Sequence, residues 1–180
     1  MKVLVPLAEG FEEIEAVTII DVLRRADIEV TVACLEGDIV CGSHRINIKP
    51  DISLDDCRNQ EFDMIVLPGG MPGSDNLEKS EILKSILISA CTDRKWIGAI
   101  CAAPKVLGAY GMLSGKQATC YPGFESKLKG AEIQGKRIVM DDTFITARGA
   151  GVAMEFALEI VKILKGGEIY RELRENMLVE

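Results

Sequence analysis

The chain has 180 residues, 48% of them hydrophobic and 27% charged, with a net charge of −7 and a single histidine. This is the size of one globular domain, and its acidic balance disfavours nucleic acid or an anionic membrane as partner, since both are bound by clustered Lys and Arg. No run of about 18 apolar residues predicts a membrane-spanning helix, and the opening "MKVLVPLAEG" is broken by Pro6 and Glu9 where a signal peptide would be continuously apolar, so a cytoplasmic protein is expected.

Along the chain, strands and helices alternate. Residues 2–7 read as a buried strand, 12–26 as a helix and 29–34 as a second strand. Residues 38–48 form two short extended pieces around Gly42 and Ser43, the pattern of a hairpin. A strand then runs into the glycine- and proline-rich turn of 63–73. Residues 80–92 place Ile82, Leu83, Ile86, Leu87 and Ala90 on one helical face. Next come a strand at 96–100, a helix at 102–110, and shorter strands at 116–120, 137–141 and 143–147. An amphipathic helix at 154–164 is stopped by Gly166 and Gly167, and a last helix covers 168–177. Repeats, linkers and low-complexity segments are absent. Apolar strands alternating with helices predict one α/β domain over 1–180, a doubly wound, mostly parallel sheet sandwiched by helices. In such sheets the ligand site lies beyond the carboxyl ends of the strands. Three such ends stand out here: Gly10, the turn from Pro68 to Gly73, and Cys101.

The six cysteines, at 34, 41, 57, 91, 101 and 120, form no C-x-x-C pair, and with His44 alone they define no zinc-type cluster. No metal is expected. Without an export signal, free thiols are a better reading than disulfides, and most should act as small buried hydrophobes.

Cys101 differs from the rest. It ends the strand of "WIGAICAAPKVLG" where the helix begins, and Ala99 and Ala103 flank it as small residues must at a sharp turn. The layout is that of a nucleophile elbow, although G-x-S-x-G itself is absent. A thiol at a helix start faces unpaired N–H groups and the positive end of the dipole, which favour a thiolate. A space-filling buried cysteine fits the same pattern. As partner the sequence offers carboxylates rather than His44, which has no other chemical candidate beside it. Glu15 shares a helical stripe with Ile19, Val22, Leu23 and Ala26 and so faces the sheet, Glu13 falls on a solvated face with Arg24, and Glu12 lies between. A buried Glu15 would have a raised pKa and could donate a hydrogen bond near neutrality; an ordinary first-turn glutamate complementing the dipole is the other reading. In "PGGMPG", Gly69 and Gly70 allow close backbone approach, and one of their N–H groups with that of Ala102 could form an oxyanion hole. "RGAGVAME" falls short of G-x-G-x-x-G and comes too late to open a nucleotide-binding half, and no phosphate-binding loop is present, so no cofactor is expected.

Four blocks, "AEGFEEIEAVTIIDVLRRA", "DMIVLPGGMPGSDNL", "GAICAAPKVL" and "TARGAGVAMEFALEIV", together resemble the ThiJ/PfpI superfamily, and within it the DJ-one and YajL-type branch. The resemblance covers nearly the whole chain in register. It implies a flavodoxin-like sandwich, usually a homodimer, needing neither metal nor nucleotide. It places the family's elbow cysteine at Cys101, its hydrogen-bonded acid at Glu15, and its oxyanion-side N–H groups at Gly70 and Ala102. Two departures bear on mechanism. The peptidase branch has a histidine directly after the cysteine, and Ala102 stands there, which disfavours a Cys-His protease. Many DJ-one relatives have a histidine before the proline where this chain has Tyr121 before Pro122, and tyrosine is a poor base at neutral pH. At the position of a family arginine that reaches the pocket from the partner subunit stands His44. The resemblance implies a cofactor-independent enzyme acting on reactive carbonyls, either methylglyoxal or early glycation adducts of thiols and amines. The alternative is a redox sensor or chaperone working through oxidation of Cys101. A thiazole-phosphate role is the weakest, because nothing resembles a phosphate-binding loop.

Overall fold

Strand β1 (Lys2–Leu7) buries every residue after Lys2, as a strand covered on both faces must. Its period of two sorts the side chains: Val3, Val5 and Leu7 join one core and Leu4 the other. In the computed structural model, which describes residues 1–179, the chain continues through α1 (Glu13–Arg25), β2 (Glu29–Cys34), and the small hairpin β3 (Val40–Cys41) and β4 (Asn47–Ile48). It then forms β5 (Ile52–Ser53), β6 (Met64–Leu67), α2 (Gly73–Lys79), α3 (Glu81–Thr92), β7 (Trp96–Ile100) and α4 (Pro104–Ala109). The last third holds β8 (Gln117–Ala118), β9 (Glu132–Ile133), β10 (Ile138–Asp141), β11 (Phe144–Ala147), α5 (Ala153–Lys165) and α6 (Gly167–Asn176).

Seven strands form the central sheet in the order β10-β11-β7-β6-β1-β2-β5. The β10–β11 pair is antiparallel and every other neighbouring pair is parallel. Helices α1 and α5 cover one face, where Ile19, Leu23, Phe156 and Ile160 pack on Val3, Val5, Met64 and Val66. On the opposite face Leu83, Leu87, Val106 and Leu107 pack on Leu4, Ile65 and Leu67. This is the mostly parallel α/β sandwich that the alternating pattern predicts, and the flavodoxin-like fold that the resemblance implies. From β1 the chain steps outward to β2, then returns across β1 to β6. The loops after β1 and β6 therefore part, leaving a crevice at their carboxyl ends beside the end of β7.

Several boundaries differ from the sequence expectation. Helix α4 begins at Pro104, not at residue 102, because residues 101–103 form the turn that reverses the chain. Helix α2 occupies residues that, apart from Gly73 at the end of the turn, carried no sequence assignment; Gly73, Ser74, Asp75 and Asn76 are weak helix formers, and tertiary packing of Leu77 holds them. The two-residue strands β5 and β9 had no periodic signal to announce them. All six cysteines are free thiols, as expected. Among the described residues no helix is long and apolar enough to cross a membrane.

Candidate active site

The thiol of Cys101 is presented by backbone geometry. Its N–H still donates to Ala147 O at 2.9 Å, prolonging the β7–β11 ladder by one residue. The chain then turns with Cys101 at φ = 64°, a conformation that costs a non-glycine residue on the order of 1 kcal/mol. Ala103 N–H donates back to Ile100 O at 3.0 Å, and Pro104 opens α4, where a missing N–H costs nothing. Ala102 and Ala103 are buried, so the turn has no room for larger side chains. The sulfur is left half-buried at the carboxyl end of the sheet.

Glu15 lies beside it. The apolar stripe of α1 turns its carboxylate inward until it is fully buried, with Oε2 accepting from Gly69 N–H at 2.8 Å. Its Oε1 has no hydrogen-bond partner among the described residues. Gly69 makes the approach possible: a Cβ there would stand 2.6 Å from Cys101 Cβ and 2.7 Å from Glu15 Oε2. Gly70 follows at φ = 93° with its Cα against the backbone of Phe11 and Glu12, which no L side chain could share. The N–H groups of Gly70 and Ala102 both face the Cys101 sulfur.

The electrostatics correct one sequence-based expectation, that of a thiolate favoured at neutrality. Burial, then the neighbouring Glu15 carboxylate, push the Cys101 thiol up to about 12, and the Ala102 and Gly70 N–H groups oppose the rise only in part. Burial also pushes Glu15 up to about 7, against the pull of Gly69 N–H and of the thiol. Two adjacent buried groups of this kind cannot both be anionic, so they titrate as a pair. The pair holds two protons below about pH 7 and a single shared proton from there to about 12. The N–H groups that favour a thiolate come from the turns at Gly70 and Ala102, ahead of α2 and α4, and they act against desolvation and a carboxylate.

Tyr121 is tied to the same turn through its backbone. Its N–H donates to Cys101 O at 2.8 Å, and a Cβ on Gly149 would meet the Tyr121 ring at 3.2 Å and Cys101 Sγ at 3.7 Å. The ring is half exposed and stacks edge-on against Phe124, with centroids 6.5 Å apart. Pro122 follows on the exposed rim. Gly149 belongs to this wall, although the sequence analysis gave it no role at the site and met it only in a failed nucleotide motif and in the last of the four resembling blocks. The signal was there in "RGAG", as a glycine just after a buried strand.

Glu13 and His44 depart from expectation together. Glu13 is buried, not solvated, because the β3–β4 hairpin folds over the first turn of α1. Its Oε1 accepts from the N–H groups of His44 at 2.6 Å and Ile46 at 3.3 Å, and its Oε2 lies 3.0 Å from His44 Nδ1. Burial by itself would raise Glu13, but these hydrogen bonds draw it down to about 2. His44, otherwise exposed, is raised by the Glu13 hydrogen bond and the charge of Glu12. Cys101, Glu15, Gly69, Gly70, Ala102 and Tyr121 thus converge, whereas the His44 imidazole of the same protomer is engaged by Glu12 and Glu13.

The DJ-1/PfpI family profile matches residues 1–163. Protein dj-1beta of Drosophila melanogaster is 43% identical over 179 residues, spanning 98% of this chain and 96% of the relative. Its crystal structure superposes with a TM-score of 0.97 over 99% of this chain and 98% of that one. A Caenorhabditis elegans relative named glutathione-independent glyoxalase DJR-1.2 is 36% identical, covering 89% of this chain and 86% of its own. Protein DJ-1 homolog B of Arabidopsis thaliana is 42% identical over 93% of this chain, which spans only 39% of that longer protein. The chain belongs to the DJ-1/PfpI family.

Proposed function

We propose that the protein is a cofactor-independent enzyme that converts methylglyoxal, or carbonyl adducts of the same type, with Cys101 as nucleophile and Glu15 as proton shuttle. The observation that supports this most directly is the pairing of a strained, half-buried thiol, faced by the Gly70 and Ala102 N–H groups, with a fully buried carboxylate held by Gly69 N–H. In the one-proton state, the thiol proton passes to Glu15 as sulfur attacks the aldehyde carbon. The two N–H groups hold the developing alkoxide, which Glu15 protonates to give the hemithioacetal. Glu15 then removes the hydrogen from that carbon and returns a proton to the neighbouring carbon. The resulting thioester is hydrolysed by water, releasing lactate and regenerating the thiol. No external electron acceptor is needed, because one carbon is oxidised as its neighbour is reduced. Tyr121 and Pro122 line the entrance and orient substrate in place of a histidine.

The name of the Caenorhabditis elegans relative is consistent with this chemistry. The whole of 1–180 acts as one such domain, in the cytoplasm, without resident cofactor. It pairs as a homodimer through the face where Ile14, Val17 and Ile46 are exposed, and His44 on that face would approach the second protomer. The test is methylglyoxal consumption by the purified protein. Cys101→Ser and Glu15→Gln should each abolish it, and consumption that persists in Cys101→Ser refutes the reading.

A second reading, a redox sensor, draws support from the unpartnered Oε1 of Glu15, which protonated could hydrogen-bond an oxidised sulfur. Mild peroxide followed by peptide mass spectrometry decides it: selective oxygen addition at Cys101 in a protein without turnover favours the sensor.

A further inference from the structure

Among the described residues Lys105 is the one buried lysine, 7% exposed, and the chemistry above makes no use of it. It sits in the first turn of α4 and reaches across to α2, where its Nζ pairs with Asp75 and, at 2.8 Å, with Glu78 Oε2. Tyr110, just after α4, adds a second tie by donating to Glu78 O at 2.6 Å. The two helices joined this way follow the two segments that face the sulfur. Ser74 N–H, one residue before Asp75, donates to Gly70 O at 2.9 Å, and Lys105's own N–H donates to Ala102 O at 3.2 Å. The ion pair is therefore one short step of backbone from each of the peptides whose N–H groups converge on Cys101.

We propose that Lys105 is a positioning residue: closed between Asp75 and Glu78, it fixes the separation of the Gly70 and Ala102 N–H groups and so their grip on the sulfur. Such a role suits a buried cation better than a stabilising one, because a buried ion pair adds little net stability over an apolar side chain of similar volume. Its value lies in geometry, since N–H donors lose most of their effect when displaced by an ångström or less. The inference rests on Cys101 being the reactive thiol. It does not require that the substrate be methylglyoxal.

The experiment compares wild type, Lys105→Met and Lys105→Arg. Iodoacetamide alkylation of each cysteine is followed by peptide mass spectrometry at pH 9, with buried Cys57 as the internal control for loosening. Lys105→Met should alkylate Cys101 roughly tenfold more slowly, the order of effect expected for a displaced donor, with Cys57 unchanged. Lys105→Arg should recover most of the rate. Where wild type consumes methylglyoxal, kcat should fall by the same factor at little change in KM. Equal or faster alkylation of Cys101 in Lys105→Met overturns the proposal. Should that variant fail to fold, Asp75→Asn with Glu78→Gln removes the same clamp from side chains more than one-third exposed, and the same slowing is required of it. A wild type that consumes no carbonyl would refute the functional reading alone, because alkylation needs no turnover.

Discussion

At the scale of single residues the site is a competition between desolvation and hydrogen bonding around two acids. Glu15 is fully buried and raised to about 7. A raised carboxyl favours the folded state below its unfolded pKa of about 4.3, and that contribution is lost as pH rises through 7. The shift corresponds to roughly 4 kcal/mol between acid and alkaline limits. Denaturant unfolding of wild type and Glu15→Gln across pH 4 to 8 should show their stability difference moving by about this amount against wild type as pH rises. A difference that stays flat contradicts the burial of an ionisable Glu15. For activity the sign is opposite. The reacting pair must have lost its first proton, so kcat/KM of wild type should climb with pH through an inflection near 7.

At the scale of elements, the hairpin β3–β4 is held by one side chain of α1. Glu13 accepts two backbone N–H groups and the imidazole of His44. Replacing it with glutamine keeps the oxygen that accepts the two N–H groups but removes the charge that strengthens those hydrogen bonds and the acceptor facing His44 Nδ1, worth about 1–3 kcal/mol. Amide exchange at His44 and Ile46 should accelerate in Glu13→Gln while that of β1 remains slow; unchanged exchange would mean the hairpin is fixed by its backbone contacts alone. Glu13 also marks how far sequence reaches. Helical spacing put Glu15 on the sheet-facing side and correctly so, because the sheet that buries it is the same one that buries Ile19 and Leu23. The same spacing sent Glu13 to solvent, because its cover is a hairpin some thirty residues away in the chain, which no local period encodes. Cys101 was legible for the first reason: a buried strand ending between alanines leaves little choice but a sharp turn. Helix α2 and the two-residue strands β5 and β9 were not, since tertiary contacts rather than propensity hold them.

At the scale of the whole molecule, the topology gathers distant residues. The crevice where β1 and β6 diverge brings Glu15, Gly69 and Gly70 to the end of β7, and the ladder to β11 carries Gly149 to the same point. The outer face of α1 and the hairpin keeps Ile14, Val17 and Ile46 exposed, apolar side chains that the proposed pairing would cover. Sedimentation should find a dimer, and Val17→Asp with Ile46→Asp should shift it toward monomer. A wild type monomeric at micromolar concentration would exclude this pairing.

The claim beneath all of this is that Cys101 and Glu15 share one proton above about pH 7. The pH dependence of Cys101 alkylation measures it directly. The shared proton predicts a rate that rises through about pH 7 and then holds level toward about 12, with the level stretch lost in Glu15→Gln. A single rise near 8.5, the value of an ordinary thiol, identical in wild type and Glu15→Gln, would contradict it.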